Sequence, residues 1–345
     1  MDRRAFLQGA VALGLLGPAG ARAGRSRGSG PGGLSVEALP ELAGDLTVYL
    51  GRGEGGLYQD VMEAIRKRSP KLDLQVRRGP STSLANTIVA EARAGVRRAD
   101  LFWSIDSSSI GLVAERGLTR AMPAGISSQL KSEFRYQDWA PISGRVRTVA
   151  YNPERVREGE LPDDIMAFAD SDFAIGWAPA YGAFQSFVTA MRLLEGKQRT
   201  RDWLRGVKAR ATSYAGELGV VMAAARGEVD LGFANHYYTL RLKQGMPDAS
   251  VAIAFTSNDA GSLVNASGAA LLSPGETPAD FVRYLLSREV QGYLAREAFE
   301  IPLVPGVAMP EGLPPLDEID PPDLDLTRLA EIRPTLELMR DTGVL

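Results

Sequence analysis

The amino-acid sequence predicts an α/β fold of two lobes joined by strands that cross between them, and three observations carry that reading. The chain has 345 residues, 45% of them hydrophobic, which is enough for about two domains with sizeable cores. From Asp45 onward, short apolar runs alternate with amphipathic stretches, the pattern of strands interleaved with helices. Two longer alternating runs, "GRVRTVAYN" (144–152) and "SLVNASGAALLS" (262–273), read as strands that leave one lobe and return to it.

In chain order, "DLTVYL" (45–50) is a strand, "GRGEGG" (51–56) a turn, and 57–70 a helix ended by Pro70. "KLDLQVRRG" (71–79) is the next strand. A helix closed by Gly95, the strand "ADLFWS" (99–104) and a helix closed by Gly117 follow. After the first crossing strand come strands at 173–177, 229–235 and 251–255, the first two followed by helical patterns. After the return strand, 278–297 reads as one strongly amphipathic helix. A Pro-rich acidic tail from Ile301 then leads to a last helix at 327–343. These elements divide into a first lobe of residues 45–145 plus about 265–300, and a second of 146–264 plus 301–345.

The chain begins with an address. Paired Arg3 and Arg4, an apolar stretch from Ala5 to about Leu16 and the small-x-small sequence Ala21-Arg22-Ala23 read as a secretory signal over residues 1–23. Arg-Arg-x-Phe-Leu resembles the twin-arginine signal, which implies export of an already folded chain. Residues 24–44, rich in Gly, Ser, Arg and Pro, read as a flexible leader. The apolar run is too short to span a bilayer, so no stable membrane insertion is expected. The mature chain is expected in the periplasm or otherwise outside the cytoplasm.

Composition narrows the chemistry. The formal net charge is -3, and -5 without residues 1–23, with 36 basic and 41 acidic residues. That balance gives no nucleic-acid footprint. The absence of cysteine excludes disulfides, thiolate zinc sites, thiol catalysis and a lipidated N-terminal cysteine. His236 is the single histidine and is expected to hydrogen-bond locally, so oxygen donors and hard cations are favoured.

Ligands of open α/β sheets bind beyond the carboxyl ends of strands. Glu54, Asp106, Tyr181 and the pair Tyr237 and Tyr238 follow four strands. A trivalent hard cation favours phenolate and carboxylate, and its field lowers tyrosine pKa values. Three phenolates and one carboxylate would carry four negative charges against three positive, a surplus that Arg145 in "SGRVR" could balance. Asn235 could cap the helix that begins with the tyrosines. Each residue also has a plainer reading: packing aromatics for the tyrosines, a helix-end charge for Glu54 and an N-cap for Asp106.

The segments "LTVYLGRGEGG", "ADLFWSIDSSSIGLVAERGL", "SGRVRTVAYN", "IGWAPAYGAFQSFVTAMRLLEG", "GEVDLGFANHYYTLRL", "GSLVNASGAALL" and "IPLVPGV", in this order, resemble the ferric-ion-binding proteins of bacterial ABC iron importers. The resemblance spans Asp45 to Leu345. It implies the type II periplasmic-binding-protein fold, Fe3+ as cargo in a cleft between lobes that close by a hinge, and an importer permease as partner. A monomer is expected.

"NHYY" matches the family's tandem iron-binding tyrosines, so Tyr237 and Tyr238 inherit that role. Tyr181 falls where some branches carry a third tyrosine. Arg145 matches an arginine that in some members holds carbonate or another synergistic anion. Gly53 stands where many members have a ligating histidine and Glu54 where some have a further tyrosine, which leaves Glu54 or water as the first-lobe ligand. Glu217 occupies a position that is often asparagine in phosphate-binding relatives, and its charge would repel an anion. Ile105 replaces a common polar residue and leaves Asp106 as the nearby donor.

Two other functions compete. Gly51 to Gly56 satisfies G-x-G-x-x-G after a strand, and Arg77 and Arg78 end the second strand, so an exported NADP-dependent oxidoreductase is an alternative. The same fold could instead bind an organic cation or a phosphorylated compound, such as thiamine, a polyamine or a phosphonate. A serine hydrolase would have to build its triad on His236, and no enzyme activity is expected.

Overall fold

The computed structural model describes residues 33–51 and 56–345. The signal segment and part of the expected leader lie outside the described residues.

Strand β1 (Ala43–Gly51) runs parallel to β2 (Lys71–Gly79) on one side and to β3 (Leu101–Ser104) on the other. The helix between β1 and β2, α1 (Leu57–Arg68), buries Tyr58, Val61, Met62 and Ile65. Their spacing of three, one and three residues is the stripe a helix lays against a sheet. Helix α2 (Ser81–Arg93) and helix α3 (Ser107–Ala114) flank β3. The expected βα units of the first lobe are therefore present.

β4 (Ala140–Tyr151) is the crossing strand, four residues longer at its start than the alternation at 144–152 implies. Up to Val146 it pairs antiparallel with β9 (Val264–Leu271), which in turn pairs with β3. From Arg147 onward it pairs with β7 (Leu231–Asn235). The chain thus changes sheets within one strand, and it returns at Leu263, whose carbonyl accepts the Arg147 N–H at 2.9 Å. β9 can sit this close only because it is small at one place: a Cβ at Gly268 would lie 2.5 Å from the buried Trp139 ring.

The second sheet continues from β7 to the parallel β5 (Ile175–Trp177) and then β6 (Ala211–Ser213), with β8 (Ala252–Ala254) antiparallel on the other edge of the same end of β4. Helix α4 (Gly182–Lys208) follows β5 and is interrupted at Gly196, whose φ of 83° favours glycine. Helix α5 (Glu217–Ala225) precedes β7, and α6 (His236–Gly245) follows it.

Four expectations need correction. Residues 33–42 are not a loose leader: Leu39 and Leu42 are buried, Ser35 donates to Glu289 at 2.6 Å, and the Leu42 N–H reaches Ser69. Their three leucines, spaced among small and polar residues, gave no periodic signal. The long helix at 278–297 is two, α7 (Glu276–Leu285) and α8 (Arg288–Glu297). Ser287 ends the run by capping the second helix through Val290 N–H.

The tail, assigned wholly to the second lobe, is shared. β10 (Ile301–Pro302) pairs with Gly144 and Ser143 in the first sheet. The turn at 326–330 lies on α3, so close that a Cβ on Gly111 would meet the Thr327 carbonyl at 2.5 Å. Helix α9 (Ile332–Asp341) packs on second-lobe α4, where Thr189 donates to Thr335 at 3.0 Å, and the Asp320 carbonyl accepts the Asn258 N–H at 2.8 Å. The single helix expected at 327–343 breaks at Glu331, and Pro334 falls in the first turn of α9, where a missing N–H costs little.

Candidate functional site

A cleft of about 450 Å³ lies between the two lobes. Its first-lobe wall comes from Tyr58, Thr82, Asp106 and Ser109, and its second-lobe wall from Tyr181, Phe187, Asn235 and Tyr237. Arg145, on the crossing strand, lines it from the hinge side.

The tyrosines converge because two separate strand ends do. Tyr181 is the residue before α4, after the end of β5. Tyr237 and Tyr238 are the second and third residues of α6, after the end of β7. The Tyr181 and Tyr238 hydroxyls are 2.8 Å apart and share a hydrogen bond. The Tyr237 and Tyr238 rings lie 4.5 Å apart, tilted by 49°. Asn235 occupies the N-cap position of α6 as expected, but its side chain does not cap. It donates instead to the Tyr237 hydroxyl, at 3.4 Å.

Burial pushes the Tyr237 phenol up to about 12, opposed by the positive charge of Arg145. Tyr238 is pushed up further by burial and by its neighbours Tyr237 and Tyr181. The metal-free cleft therefore holds these two phenols protonated at neutral pH. A bound trivalent cation would have to displace those protons, which only a strong local positive field can do.

Behind the tyrosines lies a buried ion pair that sequence reading assigned otherwise. Arg147 donates to Glu217 at 2.6 Å, with the two side chains 4% and 0% exposed. The other Glu217 oxygen accepts the Asn235 N–H at 2.9 Å, and Arg147 also donates to the Ala183 carbonyl at 2.8 Å. Glu217 does not line the cleft, and its charge is taken up by Arg147. The expected repulsion of an anion by Glu217 is thereby corrected: the residue braces β4, α4, α5 and β7 against one another.

Asp106 is the N-cap of α3, accepting from Ser109 N–H at 2.7 Å and Ser108 Oγ at 2.6 Å, with an edge in the cleft. Arg145 contrasts with it, since its Nε and one terminal nitrogen, Nη2, are buried without a hydrogen-bond partner. Glu54 and Gly53 lie outside the described residues.

Four cleft residues escaped the sequence reading. Arg147 was legible as the same-face neighbour of Arg145 on an alternating strand. Arg241 was legible as i+4 from Tyr237, and its guanidinium lies over that ring at 4.7 Å from the centroid. Tyr58 stacks on Trp103 at 4.3 Å, with planes 10° apart, and its hydroxyl donates to Glu300. Glu300 had no local signal, because it reaches the cleft only through the end of α8.

His236 is fully buried and neutral. Its Nδ1 accepts the Val146 N–H at 3.1 Å, and its Nε2 donates to the Phe299 carbonyl at 2.6 Å. The histidine thus ties the start of the tyrosine helix to the crossing point of β4 and to the loop before β10. Burial lowers its pKa from 6.5 to about 4, against the two backbone hydrogen bonds. Between those values the native chain binds fewer protons than the unfolded chain. The stability His236 contributes is full above about 6.5 and is lost as pH falls towards 4, a difference of about 3 kcal/mol. Urea denaturation of the metal-free protein at pH 7 and pH 4.5 should show this loss, and His236→Gln should remove His236's share of it. An unchanged pH dependence in the variant would contradict it.

Residues 46–300 match the family model described as bacterial extracellular solute-binding protein. The chain is similar to the major ferric iron-binding protein of Neisseria meningitidis serogroup B, 28% identical over 319 residues that cover 89% of this chain and 95% of that protein. It is also similar to the Fe(3+)-binding periplasmic protein of Serratia marcescens, 28% identical over 285 residues that cover 79% and 83% of the two chains. Among solved structures, the iron-bound HitA of Pseudomonas aeruginosa superposes with a TM-score of 0.77 at 30% identity, covering 87% of this chain and 99% of that one.

Proposed function

The chain belongs to the bacterial extracellular solute-binding protein family, and on that premise we propose that it captures ferric iron outside the cytoplasm for an ABC importer. Tyr181, Tyr237 and Tyr238 are the ligands from the second lobe. The observation that carries the reading is the shared hydrogen bond of Tyr181 and Tyr238, 2.8 Å between oxygens, with Tyr237 packed alongside. Three phenolates neutralise a trivalent cation, and oxygen donors suit a hard one. The names of the Neisseria and Serratia relatives and the bound iron of HitA point to the same cargo.

The first-lobe ligand is Glu54 or water. Arg145, which lines the cleft, holds a synergistic anion such as carbonate. The chain acts as a carrier rather than an enzyme. It delivers its cargo to an importer permease as a monomer, after export on the twin-arginine-type signal at its start.

Ferric ion supplied as a weak chelate to the metal-free protein should raise its melting temperature. Stabilisation of about 3 kcal/mol is expected at a hundredfold excess over Kd. No rise with ferric ion, together with a rise on adding thiamine or a polyamine, would move the cargo to an organic cation.

A further inference from the structure

The tail segment from Asp320 to Thr335 begins and ends on the second lobe and reaches the first lobe in between. At its start the Asp320 carbonyl accepts the Asn258 N–H at 2.8 Å, and Ser257 donates to the Asp320 carboxylate at 2.7 Å. At its end Arg192, on α4, donates to the Glu331 carbonyl and to Thr335, both at 3.0 Å.

Between these anchors the turn at 326–330 leans on first-lobe α3. The fit leaves no room: a Cβ on Gly111 would stand 2.5 Å from the Thr327 carbonyl oxygen and 2.8 Å from the Ala330 Cβ. Helix α3 carries no charged side chain, so the contact is one of packing. Beside it the Leu326 N–H donates to the Tyr136 hydroxyl at 3.3 Å, and the Tyr136 ring is stacked on Trp139 at 4.5 Å.

This contact is made while the cleft walls stand apart. Ser108 and Ser109 donate to Asp106 on the first-lobe wall, and Tyr181 and Tyr238 bond each other on the second. A single metal ion fills little of a 450 Å³ cleft, so first-lobe donors reach it only when α3 approaches the start of α4. The turn is anchored to the second lobe, and that approach slides α3 past it. A contact too tight for one methyl group fits a single placement and is lost on sliding. An interaction made only in the separated state opposes closure and lowers apparent affinity.

We propose that Gly111 sets the balance between separated and closed lobes, and through it the affinity for cargo, by letting the turn at 326–330 seat against α3. It is a positioning residue and is not among the residues that line the cleft. The affinity effect rests on the proposed ferric site, whereas the lobe balance does not.

Gly111→Ala sets a methyl group against the Thr327 carbonyl, at a helix position that alanine favours. Small-angle X-ray scattering of the metal-free proteins should give a smaller radius of gyration for the variant, whatever the cargo. Ferric ion supplied as a weak chelate should then bind the variant about fivefold more tightly, through slower release. A merely structural role for Gly111 would weaken binding instead. Tyr136→Phe removes the acceptor of the Leu326 N–H and keeps the stacked ring. It should shift both readouts the same way by less, and it decides the matter if Gly111→Ala does not fold. An unchanged or larger radius would overturn the inference, as would ferric affinity that stays level or falls while the radius shrinks. A smaller radius with no ferric binding by either protein would uphold the lobe balance and remove the proposed cargo.

Discussion

Glu217→Ala is expected to destabilise the protein by about 3–5 kcal/mol, the usual cost of removing one partner from a buried ion pair. The change strands Arg147, which is 4% exposed on its side chain and already has an unpartnered Nε. It also leaves the Asn235 N–H without its acceptor, at the junction between β7 and the tyrosine helix. Two buried groups lose a partner at once, and Arg147 keeps only the Ala183 carbonyl.

Replacing both partners, as in Arg147→Met with Glu217→Leu, removes the charges together and should restore much of the stability. It should not restore ligand binding, because the brace between α4, which follows Tyr181, and β7, which precedes Tyr237, is gone. Urea midpoints at unchanged slope measure the first effect. A Glu217→Ala midpoint close to that of the unsubstituted protein would show that the pair is not the brace described.

Much of this architecture was legible in the sequence because it is written in local periodicity. The stripe of Tyr58, Val61, Met62 and Ile65 marks α1, and the long alternation around Val146 marks the crossing strand. The convergence of Tyr181, Tyr237 and Tyr238 was legible too, since strand ends in an α/β sheet face one side and each tyrosine follows one. The role of Glu217 was not. Whether a carboxylate repels an anion or braces a sheet depends on Arg147, 70 residues away in the chain.

Glu300 was hidden for a related reason. It reaches the cleft only because the carbonyls of Ala298 and Phe299 are tied to Arg241 and His236 in the other lobe. Those are backbone contacts over long sequence separations, which leave no pattern in side-chain type. The break at Ser287 illustrates the opposite case. A serine within an amphipathic run reads as an exposed helix position, but here its hydroxyl caps a second helix.

The central claim is that tyrosine oxygens of the second lobe bind ferric iron directly, and the visible spectrum tests it. Tyr238 is the most informative position, because its hydroxyl shares a hydrogen bond with Tyr181 and its ring packs on Tyr237. Tyr238→Phe removes one oxygen and leaves the ring in place. The loss in affinity should exceed the ~10–100-fold typical of an outer-shell partner, since a direct donor is gone. Ferric ion added to metal-free unsubstituted protein should produce a phenolate-to-iron charge-transfer band that saturates at one iron per chain and is weaker in Tyr238→Phe. A colourless mixture at saturating ferric ion, or a band of undiminished strength in the variant, would contradict the claim.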